Sequence, residues 1–351
     1  MVRFADLIGD GPTEPSRPDS HAPQDQPPKS PSSNTKFSTP QAPASHTPSV
    51  DNSQKERPAS EAVFYEHILG TVVTLFSAVR KGQPVNLTEA SVQIEQLPQI
   101  VRPGQPETVL AFMRRPDLDT YLYTHAVNVA ILTGFITQDL GYSPAAVKQL
   151  ALAGLVMDVG MTGELELLAS EPRTLSDLER RRLHDHPQAS LKWIENADGL
   201  SSDTRAAILA HHERLDGSGY PRGLQADAIP EQARILAIAD TYDAMCHSRA
   251  YRRRYTPAQA LKALIEGADK LFDRRFVKIL VDEFTLYPPG SAVRLNTNEV
   301  GVVQRVHRQA PLRPMVLISR DASQHTLPSP RAVNLLEHPF IYVKEVVADS
   351  E

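Results

Sequence analysis

The sequence predicts a mainly α fold: a helical bundle with a small C-terminal β module and a disordered N-terminal arm. Three observations carry this. Apolar residues recur three and four apart through the middle of the chain. Towards the C-terminus that period gives way to short β-branched runs. Eleven of the 29 prolines fall within the first 60 of 351 residues. The expected division is an arm over 1–59, a helical domain over 60–286 with its core at about 115–286, and a β module over 287–351.

The arm interleaves proline with Ser, Gln, Asp and Thr, and residues 11–59 are almost without apolar side chains. Such a segment buries too little surface to offset the entropy of ordering it. Val2, Phe4, Leu7 and Ile8 at its start read as a frayed terminus or as a short docking motif on a flexible tether.

About eight helices are expected in the middle region, and their starts are marked. Ser143-Pro144 and Thr256-Pro257 each read as an N-cap followed by a first-turn proline, and Ser176 with Glu179 fits a capping box. Helices are expected over 121–140, 145–157 and 229–248, with another ending near His211 and one starting at Pro187. Beyond Tyr287, the runs 292–295, 300–306, 315–319 and 341–347 are separated by Pro, Gly and Asn, which predicts a bent sheet of four or five strands.

Composition narrows the function classes. The single cysteine, Cys246, rules out an intramolecular disulfide or a cysteine-built zinc ribbon, and a reducing compartment is the simplest reading. A net charge of −5 gives no global field for capturing a nucleic-acid backbone. Asp6 and Asp10 stand where a signal peptide would be basic and then apolar, and no uninterrupted apolar run of about 18–20 residues is present. A cytoplasmic protein with no DNA partner and no membrane insertion is expected.

Chemistry concentrates at a few inward positions. In the helix over 229–248, Asp240 follows Leu236 by four residues and Ala233 by seven, so it shares the buried face. An unpaired carboxylate there would cost several kcal/mol, so it needs a cation, either an arginine or a metal. His211 and His212 end an apolar helix and are followed by Glu213 and the loop Asp216-Gly-Ser-Gly-Tyr-Pro221. Two adjacent histidines at a helix end beside a glycine loop favour a metal over a satisfied core histidine. His125 shares a face with Val129, Leu132 and Ile136, and Asp158 closes the helix over 145–157 on the side of Leu150 and Gly154. His186 stands at the Pro187 helix start, while His184 reads as a surface residue. Four histidines and two aspartates aimed at one core suit one or two divalent first-row ions.

The string His211-His-Glu-Arg-Leu-Asp-Gly-Ser-Gly-Tyr-Pro-Arg-Gly-Leu224 is similar to the signature of the HD-GYP branch of the HD phosphohydrolases. Ile238-Ala-Asp-Thr-Tyr-Asp-Ala-Met245, Ser248-Arg-Ala-Tyr-Arg252 and His125-Ala-Val-Asn-Val-Ala support the resemblance, which runs from about Glu61 to Val347. It implies an HD-type bundle that hydrolyses cyclic di-GMP to the linear dinucleotide or GMP. It also implies two divalent ions, Fe, Mn or similar, that share Asp158 as the catalytic carboxylate. His186, His211 and His212 would complete one site, and His125, Asp240 and the histidine of the His-Asp pair the other.

This sequence departs from that pattern at three points. The pair reads Met157-Asp158, the following lysine is Met161, and a carboxylate that some members carry is Tyr121. A thioether is a poor substitute for imidazole on such ions. One firmly bound metal and a second that is weak or absent are therefore expected, with weakened activity. Arg249 and Arg252 suit a bidentate grip on phosphate or guanine, and with Gly219, Tyr220 and Pro221 they are the substrate-binding candidates. The alternative is an inactive cyclic-dinucleotide sensor or scaffold, meeting another signalling protein through the Gly219-Tyr220-Pro221 loop or the N-terminal arm.

Overall fold

The computed structural model describes residues 53–113, 121–171, 173–247, 255–284, 286–287, 289–307 and 310–347. Most of the expected arm, including Val2 to Ile8, lies outside these residues. Residues 53–59 belong to the first helix, which starts seven residues before the point where apolar periodicity becomes visible.

The helices are α1 (Ser53–Arg80), α2 (Thr88–Ile94), α3 (Leu97–Ile100), α4 (Pro106–Met113), α5 (Tyr121–Asp139), α6 (Pro144–Val156), α7 (Glu164–Ser170), α8 (Asp177–His184), α9 (His186–Trp193), α10 (Ser202–Ala210), α11 (Glu231–Cys246), α12 (Pro257–Glu266) and α13 (Arg274–Phe284). There are more helices than the eight expected because several, such as α3 and α7, are too short to complete an apolar period. The predicted caps form. Ser143 accepts from Ala146 N, and Ser176 with Glu179 and Thr256 with Gln259 close full capping boxes.

Helix α5 is the spine of the bundle. Its residues from Leu122 to Thr137 are buried, so it is apolar on all sides rather than along one stripe. Helix α6 lies close against it at Gly154, where an added Cβ would come within 2.9 Å of the Ala130 backbone. Helices α1, α11 and α13 cover the remaining faces of α5, as Tyr65, Leu236 and Phe284 in the common core illustrate.

Spans 61–80 and 144–161 are long and apolar enough to cross a membrane by length and composition alone, contrary to the reading of the uninterrupted runs. The second is 72% buried inside the fold, where α6 serves as a core helix.

The C-terminal strands are β1 (Ala292–Leu295), β2 (Val300–His307), β3 (Ala310–Arg320), β4 (Thr326–Asn334) and β5 (Val343–Val346). They form one antiparallel sheet in the order β4-β3-β2-β1-β5 around Val293, Leu295, Val316 and Ile318. The sequence reading passed over β4 because Pro328 and Pro330 interrupt it. It is an edge strand, where a missing N–H leaves no interior ladder bond broken.

Candidate metal centre

Five elements deliver the six predicted ligand positions to one buried point. His125 comes from the first turns of α5, Asp158 follows the end of α6, and His186 opens α9. His211 and His212 follow the end of α10, and Asp240 lies on the inward face of α11. All six are at least 96% buried. Helix ends suit this task because the chain turns there, so the adjacent histidines 211 and 212 can both face the same point.

Two groups of ligand atoms form, each lying within 4.8 Å of one another: Asp158, His186, His211 and His212, and then His125, Asp158 and Asp240. Asp158 belongs to both. In the first group the protonation pattern is fixed from outside, since His186 Nδ1 donates to the Leu183 carbonyl at 2.7 Å and His211 Nδ1 to the Ile208 carbonyl at 2.6 Å. Their Nε2 lone pairs therefore point inward. His186 Nε2 lies 3.5 Å from His211 Nε2, 3.2 Å from His212 Nε2 and 3.1 Å from Asp158 Oδ1. Asp158 Oδ1 is buried without a hydrogen-bond partner. A set of acceptors facing one another in a dry site is repulsive unless a cation lies among them, and this donor set fits a divalent first-row ion.

Burial drives the His186 and His212 pKa values below the ordinary histidine value, further for His212, which keeps both imidazoles neutral and able to ligate. Burial opposes ionisation of Asp158, but the surrounding His125, His186 and His211 outweigh it and hold the carboxyl well below its usual range.

The second group is poorer. His125 Nε2 stands 3.1 Å from Asp240 Oδ1 and 3.4 Å from Asp158 Oδ2. Burial would lower the His125 pKa, but Tyr121, Asp158, Asp240 and Asp243 together raise it well above its ordinary value. Met157, which precedes Asp158 in the sequence, is fully buried in the apolar core, and Met161 is 1% exposed. Tyr121 packs its ring on His125, with centroids 5.1 Å apart.

The loop after α10 closes one wall of the centre. Glu213 is not a member of either ligand group; its carboxylate accepts from the backbone N–H groups of Arg222 and Leu224 at 2.8 and 2.9 Å and so holds the loop. Gly219 is required for close approach, because a Cβ there would lie 2.4 Å from the His212 carbonyl oxygen and 2.5 Å from Arg214 N. Tyr220 stacks on His212 with centroids 4.6 Å apart, and its hydroxyl is buried without a hydrogen-bond partner. Burial and the nearby Asp240 and Asp158 carboxylates push the Tyr220 pKa well above its usual value, so the hydroxyl keeps its proton. Pro221 lines an adjacent open groove with Arg222, Lys192 and Arg205. His184, read from sequence as a surface residue, is half-buried under the Tyr220 ring. Arg249 and Arg252 lie outside the described residues.

Sequence reasoning passed over Asp243, Asn128, His247 and Tyr65, which form a buried hydrogen-bonded set behind His125. The available signal was Asp243 itself, an acidic residue about one helical turn after Asp240 in a helix whose preceding stretch, Ile235 to Ala239, is apolar.

Residues 112–276 match the HD domain family, and residues 292–351 match the KOW domain associated with HD domain. A cyclic di-GMP phosphodiesterase of Pseudomonas aeruginosa is 30% identical over 262 residues, 75% of this chain and 63% of that protein. The cyclic di-GMP phosphodiesterase PdeB of Borreliella burgdorferi is 27% identical over 59% of this chain and 55% of its own length. The response regulator RpfG of Xanthomonas campestris, also a cyclic di-GMP phosphodiesterase, is 34% identical over 43% of this chain and 40% of its own length. This chain thus spans less than two thirds of each of these relatives. A solved HDG"Y"P protein from Bdellovibrio bacteriovorus shares the fold, with a TM-score of 0.55 and 17% identity over 66% of this chain and 74% of that one. From its HD domain match and these relatives, the chain belongs to the HD-GYP family of HD domain proteins.

Proposed function

We propose that this chain is a metal-dependent phosphohydrolase of weakened activity that opens cyclic di-GMP to the linear dinucleotide or GMP. The observation that carries the reading is the inward convergence of three imidazoles on the unpartnered Asp158 Oδ1. The names of the relatives from Pseudomonas, Borreliella and Xanthomonas supply the substrate class.

His186, His211, His212 and Asp158 would hold one ion firmly, and His125, Asp158 and Asp240 a second one weakly or not at all. Divalent ions of the Fe or Mn kind would supply positive charge to a scissile phosphate and lower the pKa of a water. Asp158, ionised and shared between the groups, orients that chemistry. Tyr220 keeps its proton and offers a hydrogen bond at the wall formed with Gly219 and Pro221. Arg249 and Arg252 would grip phosphate or guanine from outside the described residues. Met161 contributes no charge where a lysine would help hold phosphate, which lowers affinity. We place the protein in the cytoplasm, acting on a dinucleotide rather than on DNA or within a membrane.

Met157 favours a second reading. With only three donors in the poorer group, the chain could hold a cyclic dinucleotide without turning it over. It would then act as a sensor or scaffold, with the Gly219-Tyr220-Pro221 loop or the N-terminal arm as the contact for another signalling protein. Incubation with cyclic di-GMP and Mn(II) or Fe(II), followed by chromatography of the product, separates the two. Linear product from the parent supports the enzyme. An inert parent whose Met157→His variant gains turnover supports the sensor, and no turnover by either removes the enzyme reading.

A further inference from the structure

The carboxylate of Asp243 is fully buried, carries no ligand role in either group, and lies behind His125 rather than in front of it. His125 Nδ1 is 2.7 Å from Asp243 Oδ2, a separation at which an ionised carboxylate can only be accepting a proton from the ring. The other carboxylate oxygen accepts from Asn128 Nδ2 at 2.9 Å, and Asn128 Oδ1 accepts from the Tyr65 hydroxyl at 3.0 Å. His247 closes the back of the set by donating Nδ1–H to the Asp243 carbonyl at 2.9 Å while its Nε2 faces Asn128 Nδ2 at 3.4 Å. Each member fixes the next. Tyr65 orients the Asn128 amide, the amide orients the Asp243 carboxylate, and the carboxylate places the His125 ring proton on Nδ1. On its other side Nε2 faces Asp240 Oδ1 at 3.1 Å and Asp158 Oδ2 at 3.4 Å, so without an ion it also donates a proton, and it is the Nε2 proton alone that a metal ion would replace.

We infer that Asp243 is a positioning residue for the poorer half of the centre, setting the tautomer and rotation of His125 from behind, and that Asn128 and Tyr65 extend this control to helix α1. The inference rests on the metal-centre reading given above. It explains why a centre lacking a donor at Met157 keeps a buried carboxylate that touches no ligand atom other than His125 Nδ1. The set joins α1, α5 and α11, so a displacement of α1 would reach the centre through three hydrogen bonds.

The test uses the full chain with histidine labelled in ¹⁵N and Zn(II) as a diamagnetic probe, read by long-range proton–nitrogen correlation. In the Zn(II)-loaded parent, His125 should keep its proton on Nδ1 and lose the one on Nε2. In Asp243→Asn, the amide can donate to Nδ1, so the proton should move to Nε2. Mn(II) affinity for the weaker site should then fall by about 10- to 100-fold, while the His186, His211 and His212 site keeps its affinity. The exchange Asp243→Asn with Asn128→Asp lets the new amide donate to residue 128 and present its oxygen to His125. It should return the proton to Nδ1. Tyr65→Phe should weaken the same site by less than about tenfold, since it removes only the outermost bond. A His125 that lacks the Nδ1 proton in the Zn(II)-loaded parent, or that keeps it in Asp243→Asn, overturns the inference. If the parent fails to hydrolyse cyclic di-GMP, the hydrolase reading falls instead, and the position of the ring proton still decides the role of Asp243.

Discussion

The imidazole of His184 lies parallel to the Tyr220 ring, with centroids 3.9 Å apart and planes 3° from coplanar. Burial pushes the His184 pKa down to about 4. An unfolded histidine takes up its proton near about pH 6.5, whereas this one resists until the pH is far lower. The unfolded chain therefore binds more protons between those values, and the stability His184 contributes is lost as pH falls through that window. His184→Phe keeps the stacking and cannot titrate. Its melting temperature should drop less than the parent's between pH 7 and pH 4.5, and an equal drop would show that His184 does not contribute.

Gly219 should tolerate no side chain. The nearest atoms to an added Cβ are backbone atoms of His212, Glu213 and Arg214, between 2.4 and 2.5 Å away, and none can rotate aside. Relief requires the ligand segment itself to move. Gly219→Ala is expected to cost about 1–3 kcal/mol of stability and to lower metal content, whereas Gly163→Ala, strained by its φ of 73° but with open space around it, should lower stability and spare the metal. Denaturant titration and elemental analysis of both variants check this.

Metal stoichiometry should be unequal. Four donors surround one position and three the other, and Met157 supplies only a thioether. Dialysed parent should retain about one equivalent of Fe or Mn, and Met157→His should raise this towards two as the missing imidazole is restored. Two firmly held equivalents in the parent would contradict the argument.

Helix phase made much of the centre legible in advance. His125, Asp158 and Asp240 each fall on an apolar face, and an apolar helix face points to the core whatever the fold. What phase could not supply was the identity of partners across the bundle. Asp243 was passed over because its meaning comes from His125, 118 positions away in sequence. Glu213 makes the converse point. Its neighbours in sequence are ligand candidates, but α10 ends at Ala210 and the turning chain directs its carboxylate to the loop instead. His184 looked exposed because nothing local signals a tyrosine arriving from residue 220. Strand β4 was hidden by its prolines, which its edge position accommodates.

Removal of metal should destabilise the bundle rather than leave it unaffected. Without an ion, the Nε2 lone pairs of His186 and His211 face each other at 3.5 Å, and Asp158 Oδ1 has no hydrogen-bond partner. Partial protonation can relieve this, but burial disfavours a charged His186 or His212. Binding to the folded state alone stabilises it by about 2.7 kcal/mol at a hundredfold excess over Kd. Calorimetric melts with and without chelator should therefore show a lower transition for the stripped protein, restored by Mn(II). The shift should shrink in His211→Ala, which deletes one donor, and persist in Arg294→Gln, a change on the distant β1 strand. An unshifted melt in the parent would mean that these four side chains hold no ion.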